Sequence, residues 1–163
     1  PSVYESTVRA IVGQQVSIQA ARQVCSRLAT AALGGEAAPT LYFPEPGQIA
    51  RLDDEHFPMP VRRRETLRAV SARWAGSDKP PERDELAAFK GIGPWTVGML
   101  GIRGMGDPDV FPDGDLILRR AYDPAGRLNL RELRAELESC KPWRSYAANL
   151  LWRSLSHDSI SDE

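Results

Sequence analysis

Two aspartates, Asp113 and Asp115, lie two residues apart in F-P-D-G-D-L-I-L-R-R, residues 111–120. The proline and the glycine beside them indicate a turn, and the apolar run after them predicts a helix from Asp115 through Tyr122. A carboxylate held at such a turn can orient or deprotonate water, or stabilise a developing positive charge. An aspartate at such a turn is also often an ordinary helix cap or turn residue. Position alone therefore does not decide between a catalytic and a structural role for either aspartate.

A second segment that could take part in binding or catalysis is F-K-G-I-G-P-W-T-V-G-M-L-G-I-R-G, residues 89–104. Gly91 and Gly93 can both adopt positive φ at little cost, and Pro94 suits the first turn of the helix that follows. The pattern predicts two helices joined by a tight hairpin, with backbone N–H groups at a helix N-terminus that attracts anions, phosphate above all. A glycine-rich corner between helices is also a common packing element, so the glycines alone do not establish an anion site.

Helical periodicity extends over almost the whole sequence. Ser17 and Asn129 are predicted N-caps of two further helices. No alternating run indicates a strand, so we expect an all-α fold of about eight to ten short helices. The first predicted core stripe follows the i, i+4, i+7, i+8 spacing of a helix and consists of Tyr4, Val8, Ile11 and Val12.

Composition excludes several classes of protein. The net charge is -1, so only a local basic face could bind nucleic acid. Cys25 and Cys140 are too few for a disulfide framework or a cysteine metal centre, and His56 and His157 have no partner at metal spacing, so we expect no metal site. No apolar run is long enough to span a membrane. We expect a cytoplasmic protein that makes no membrane contact.

Four segments in order resemble the helix–hairpin–helix DNA glycosylase superfamily, and within it the AlkA-type 3-methyladenine glycosylases. They are residues 86–96 (L-A-A-F-K-G-I-G-P-W-T), 111–121 (F-P-D-G-D-L-I-L-R-R-A), 8–21 and 141–153. The resemblance implies one glycosylase domain over 1–163, with the hairpin motif at about 82–104. It also implies two helical lobes, 17–115 and 1–16 with 116–163, and a DNA cleft between them. The AlkA branch carries an N-terminal β-rich domain, so we expect either a fragment or a compact relative.

The resemblance implies a monofunctional enzyme that removes alkylated purines such as 3-methyladenine and leaves an abasic site. It favours Asp115 over Asp113, because the family's aspartate directly precedes the L-x-L-R-R-like run. Trp95 stands where lyase-capable members carry a nucleophilic lysine, and Lys90 is out of register, so water is the expected nucleophile. The alternatives are a glycosylase for an oxidised or deaminated base, or a non-catalytic DNA-binding module.

The expected base pocket consists of Trp95, Met99 and Trp152. A cationic alkylated base stacks well on aromatic faces, and Met99 replaces a tyrosine of related pockets, which leaves the base preference open. By helical geometry Trp152 lies off the apolar stripe of the last helix, with Ser145, Ala148 and Asn149, and needs another cavity or a partner. The stripe predicted to face the core is Trp143, Tyr146, Ala147 and Leu150.

The resemblance assigns DNA contacts to Gly91, Gly93 and Thr96, and the role of a wedge that fills the gap left by a flipped base to Gln15, with Gln14 as the alternative. Duplex DNA with damaged bases is the expected partner, and a monomer is the expected state. No cofactor is expected, although hairpins of this superfamily often hold a monovalent cation through carbonyls, here those around Ala87, Phe89 and Gly91.

Overall fold

The computed structural model describes residues 1–35, 42–77 and 79–158, and within them all side chains except those of 156–158. These residues form helices and connecting loops without a strand, which confirms the predicted all-α class. Two 3₁₀ turns lie at Asp54–His56 and Leu137–Cys140. The α-helices of the described residues are α1 (Val3–Val12), α2 (Ile18–Ala32), α3 (Pro46–Ala50), α4 (Val61–Ala75), α5 (Arg83–Ala87), α6 (Pro94–Arg103), α7 (Leu116–Tyr122), α8 (Leu130–Glu136) and α9 (Arg144–Asp158).

Four helices, α1, α2, α7 and α8, begin where the side chain of the N-cap residue accepts from the first backbone N–H groups. The Ser17 hydroxyl accepts from the Ala20 N–H at 3.2 Å, and the Asn129 side chain accepts from the N–H groups of Arg131 and Glu132. Both predicted caps are therefore confirmed. The five-residue helix α3 was not predicted, although it has a proline at its first turn.

The chain divides into two compact units, residues 1–104 and residues 105–163. This division follows the chain and differs from the predicted lobes, in which 1–16 joins 116–163. The lobe assignment stays a prediction.

In the unit of residues 1–104, α1 is the central helix and packs against α2, α4 and α6. Val8, Ile11 and Val12 are almost fully buried there, as their spacing predicts. The hydroxyl of the buried Tyr4 lies 2.8 Å from that of Ser71 on α4. Burial raises the pKa of Tyr4 to about 12, because ionisation would place a charge in this core.

In the unit of residues 105–163, α7 packs against α9, and the core consists of Leu118, Leu133, Leu137 and Ala148. The prediction for α9 was wrong about which face is buried. Trp143, Tyr146 and Leu150 are 57%, 60% and 68% exposed, whereas Ser145 and Ala148 on the opposite side are buried. Ser145 faces inward because the loop of residues 107–110 approaches it closely, as its hydrogen bonds described below show.

Candidate functional site

The hairpin between α5 and α6 forms as predicted, but only one of its two glycines needs positive φ. Gly91 has φ +93°, and a Cβ there would overlap the Oγ1 of Thr66 on α4. The Thr66 hydroxyl lies 2.7 Å from the carbonyl oxygen of Lys90, which holds α4 against the hairpin backbone. Gly93 is extended, with φ -98° and ψ 177°, and a Cβ there would meet nothing within 4 Å. The turn therefore depends on Gly91 for its geometry, and Gly93 leaves the start of α6 open.

The start of α6 has the features of an anion site. Pro94 occupies the first turn, and the N-cap residue, Gly93, has no side chain that could cap the N–H groups beyond it. These groups carry the positive end of the helix dipole, and Lys90, three residues before Gly93 in the chain, is exposed. The backbone N–H groups at this helix start can donate hydrogen bonds to a phosphate oxygen.

The loop after α1 lies beside this hairpin, and its two glutamines differ in their surroundings. The Gln14 Nε2 donates to the Gly91 carbonyl oxygen and to the Thr96 Oγ1, each at 2.9 Å. Gln15 is exposed and has φ +56°, the left-handed region that residues other than glycine rarely adopt. Sequence reasoning missed the contact of Gln14 with the hairpin, because a side chain that bonds a distant backbone group has no local pattern.

Trp95 and Met99 are one turn apart on α6 and therefore share a face of that helix. Both side chains are half-buried, whereas Thr96 and Leu100, on the adjoining side, are buried. Of the predicted site residues, the unit of 1–104 thus brings together Gln15, Gly91, Gly93, Trp95, Thr96 and Met99 around the start of α6 and the loop after α1.

Asp115 and Asp113 have different partners in the unit of residues 105–163. The Asp115 Oδ1 accepts from the backbone N–H groups of Ile117 and Leu118, at 2.9 and 3.0 Å, and so caps α7. Asp113 forms an ion pair with Arg134 of α8, and its carboxylate raises the pKa of that guanidinium. The Asp115 carboxylate is half-buried and fixed by the backbone, whereas Asp113 neutralises a side chain.

The segment that leads to Asp115 is fixed by the first residues of α9. Arg144 binds the Asp109 carboxylate with two nitrogens, at 2.7 and 2.9 Å, and the hydrogen bond from its side chain lowers the pKa of Asp109. The buried Ser145 hydroxyl lies 2.6 Å from the Asp107 carbonyl oxygen and accepts from the Val110 N–H at 2.9 Å. These bonds account for the small side chain that α9 buries there.

Trp152 lies on α9, the helix that packs against α7, and its side chain is half-buried. It shares a helical face with Ser145 and Ala148, as its spacing predicts, and this face is the packed one. In this unit Asp115 and Trp152 are therefore carried by two helices in contact.

Among the side chains that the structure describes, no group of three histidines, cysteines, aspartates or glutamates could hold a metal ion, and His157 lies outside them. Two of the three carbonyl groups expected near a monovalent cation, those of Phe89 and Gly91, already accept hydrogen bonds. The Phe89 oxygen accepts from the Ile92 N–H at 3.0 Å, and the Gly91 oxygen accepts from Gln14. A cation would have to share those oxygens, and its presence stays a prediction. No helix among the described residues is long and apolar enough to cross a membrane.

Comparison with known proteins shows similarity along nearly the whole chain. This chain is 39% identical over 94% of its length to the probable bifunctional transcriptional activator/DNA repair enzyme AlkA of Mycobacterium tuberculosis. It covers 34% of that protein. It is 31% identical over 91% of its length to DNA-3-methyladenine glycosylase 2 of Escherichia coli, of which it covers 56%. No protein-family model matches. The chain thus spans only part of each of these curated relatives.

A solved structure supports the same likeness in three dimensions. The Schizosaccharomyces pombe 3-methyladenine DNA glycosylase in complex with abasic DNA matches with a TM-score of 0.77 at 27% identity. The match covers 93% of this chain and 79% of that one.

Proposed function

We propose that this chain belongs to the AlkA-type branch of the helix–hairpin–helix DNA glycosylase superfamily and hydrolyses the N-glycosidic bond of alkylated purines in duplex DNA. 3-Methyladenine is the expected substrate, and the products are a free base and an abasic site. The observation that carries the proposal is the half-buried Asp115 carboxylate, which two backbone N–H groups hold at the start of α7.

The reaction requires a fixed negative charge. As the bond between C1′ and the base nitrogen breaks, its electron pair leaves with the base and positive charge develops on the sugar. A carboxylate aimed at that charge lowers the barrier, as in glycoside hydrolysis. Water then adds to C1′, and Asp115 would orient it or take its proton. Because two hydrogen bonds hold Asp115, little reorganisation is needed when the charge appears.

The proposed enzyme leaves the DNA strand intact. Strand cleavage by a lyase requires an amine that attacks C1′ to form a Schiff base. At the start of α6 the chain has Trp95, which supplies no amine, and the neighbouring Lys90 precedes the turn. Water is therefore the nucleophile, and no cofactor is needed for this chemistry.

DNA recognition is assigned to the hairpin and to the loop after α1. The start of α6 would bind a backbone phosphate through its N–H groups, with Gly91 and Gly93 allowing the close approach. Gln15 would enter the duplex as the wedge, because it is exposed and Gln14 is already bonded to the hairpin. Flipping a nucleotide costs a few kcal/mol, and least for a damaged or mispaired one.

The flipped base would stack on an aromatic face, and each unit offers one candidate, Trp95 in residues 1–104 and Trp152 in residues 105–163. Trp95 and Trp152 are both half-buried, so each has packed and accessible surface. A cationic purine is attracted to their faces, which favours alkylated over neutral bases. Met99, one turn from Trp95, offers a polarizable and adaptable contact in place of a tyrosine.

Base release from methylated duplex DNA tests the proposal. Free bases are separated by chromatography, and the DNA is examined before and after alkali. We expect free 3-methyladenine, with strand breaks only after alkali. Breaks before alkali would refute the monofunctional mechanism, and binding without release of any methylated base would favour another lesion or a non-catalytic binding module.

A further inference from the structure

Gln14 and Gln15 are neighbours in the loop after α1, and Gln14 is hydrogen-bonded to the hairpin. We propose that Gln14 is a positioning residue that holds the wedge residue Gln15 at a fixed place relative to the phosphate-binding hairpin. The inference rests on the proposed function, since it assigns a role within the flipping step.

The first observation is that α1 and α6 are held together at both ends. At one end the Ser6 hydroxyl donates to the Arg103 carbonyl oxygen at 3.1 Å. At the other end Gln14, just beyond α1, donates to Gly91 and Thr96 at the start of α6. The two helices are therefore antiparallel, and the wedge loop and the hairpin lie at the same end of the pair.

The second observation is the chemistry of the Gln14 contacts. The Gly91 oxygen is a carbonyl and can only accept, so the side chain atom that faces it must be the amide nitrogen. That nitrogen has two hydrogens, which satisfy the Gly91 carbonyl and the Thr96 hydroxyl together. Thr96 is almost fully buried, so this end of the contact is anchored in the core.

The third observation is the backbone of Gln15. Its φ of +56° lies in a region that costs a residue with a Cβ roughly 1–2 kcal/mol, so the surroundings must maintain it. The preceding residue, Gln14, is the one bonded to the hairpin. A hairpin that binds phosphate and a wedge that enters the stack must keep a constant separation, and the Gln14 amide spans that separation.

Gln14→Glu is the test variant, because it keeps the size of the side chain and replaces the donor with an acceptor that the Gly91 carbonyl repels. Gln14→Ala is the second variant, in case the first does not fold. Gln19→Glu, on the exposed side of α2, is the matched control for the added charge. Thermal unfolding of all variants establishes that the fold is retained.

The probe is a duplex containing 2-aminopurine, whose fluorescence rises when it leaves the base stack, and anisotropy of the same duplex gives its affinity. We expect Gln14→Glu to lower the fluorescence response about tenfold, as the loss of one or two neutral hydrogen bonds implies, with affinity nearly unchanged. Gln19→Glu should behave as the wild type. In a Gln15→Ala background, Gln14→Glu should have little further effect, because the two residues act in one step.

An unchanged fluorescence response in Gln14→Glu would overturn the inference, as would a parallel loss of affinity or effects that add to those of Gln15→Ala. A wild-type chain that fails to unstack the probe would overturn it too. The proposed function is measured separately. A chain that unstacks 2-aminopurine but releases no methylated base would refute the proposed activity on alkylated purines and leave the role of Gln14 standing.

Discussion

Gly91→Ala tests how strictly the hairpin requires glycine. Its φ of +93° imposes roughly 1–3 kcal/mol on any residue with a Cβ. The added methyl group also overlaps the Thr66 Oγ1 and lies 3.5 Å from the Cβ and Cγ2 of that residue, and overpacking of this kind costs about 1–3 kcal/mol. We therefore expect the free energy of unfolding to fall by about 2–6 kcal/mol, a large share of the roughly 5–15 kcal/mol of a typical domain.

Urea unfolding followed by circular dichroism measures this loss, and Gly93→Ala is the matched control in the same turn. A Cβ at Gly93 meets nothing within 4 Å, so the control should cost only the difference between glycine and alanine at an N-cap, about 0.5–1 kcal/mol. In a Thr66→Ala background, part of the Gly91→Ala cost should disappear, because the overlapping atom is gone. Equal losses in Gly91→Ala and Gly93→Ala would refute the reasoning.

Two further predictions concern pH. Because the pKa of Tyr4 is raised in the folded state, its contribution to stability is complete below about pH 10 and is lost as the pH rises towards 12, by up to roughly 3 kcal/mol. Tyr4→Phe should lack this part of the alkaline decline in urea unfolding, and identical declines would contradict the assignment. Because Arg144 lowers the pKa of Asp109, the contribution of that carboxylate is present above the usual aspartate range and lost as the pH falls through the lower folded value. Asp109→Asn should weaken that acid dependence in thermal melts, and an unchanged dependence would exclude the ion pair as its source.

Features set by local chemistry were predicted well from the sequence. The stripe of Val8, Ile11 and Val12 faces the core because three apolar side chains at helical spacing must bury together. Ser17 and Asn129 cap their helices because a side-chain oxygen two or three bonds from Cα reaches the first N–H groups of the helix that follows.

Features that depend on distant partners were not predictable in this way. Periodicity finds an apolar face on α9 but cannot show whether anything covers it, and Trp143, Tyr146 and Leu150 are exposed. The buried face is instead the one where Ser145 bonds backbone groups of residues 107–110, a contact across more than thirty positions. The bonds of Gln14 to Gly91 and Thr96 are of the same kind, since they join segments far apart in the sequence.

The candidate carboxylate is an intermediate case. The sequence identifies two aspartates at one turn, and only the folded structure shows that Asp113 pairs with Arg134 while Asp115 caps α7. The choice between them for catalysis came from a family resemblance, and the geometry supports it by giving Asp115 a fixed orientation.

The most direct test compares base release from methylated duplex DNA by the wild type, Asp115→Asn and Asp113→Asn. Asparagine caps a helix as well as aspartate does, so Asp115→Asn should fold and bind abasic DNA while its release rate falls about 10²–10³-fold. Asp113→Asn loses the ion pair with Arg134, whose side chain is 65% exposed, and should release bases at nearly the wild-type rate. Equal release by the wild type and Asp115→Asn, or a selective loss in Asp113→Asn, would contradict the assignment of the catalytic carboxylate.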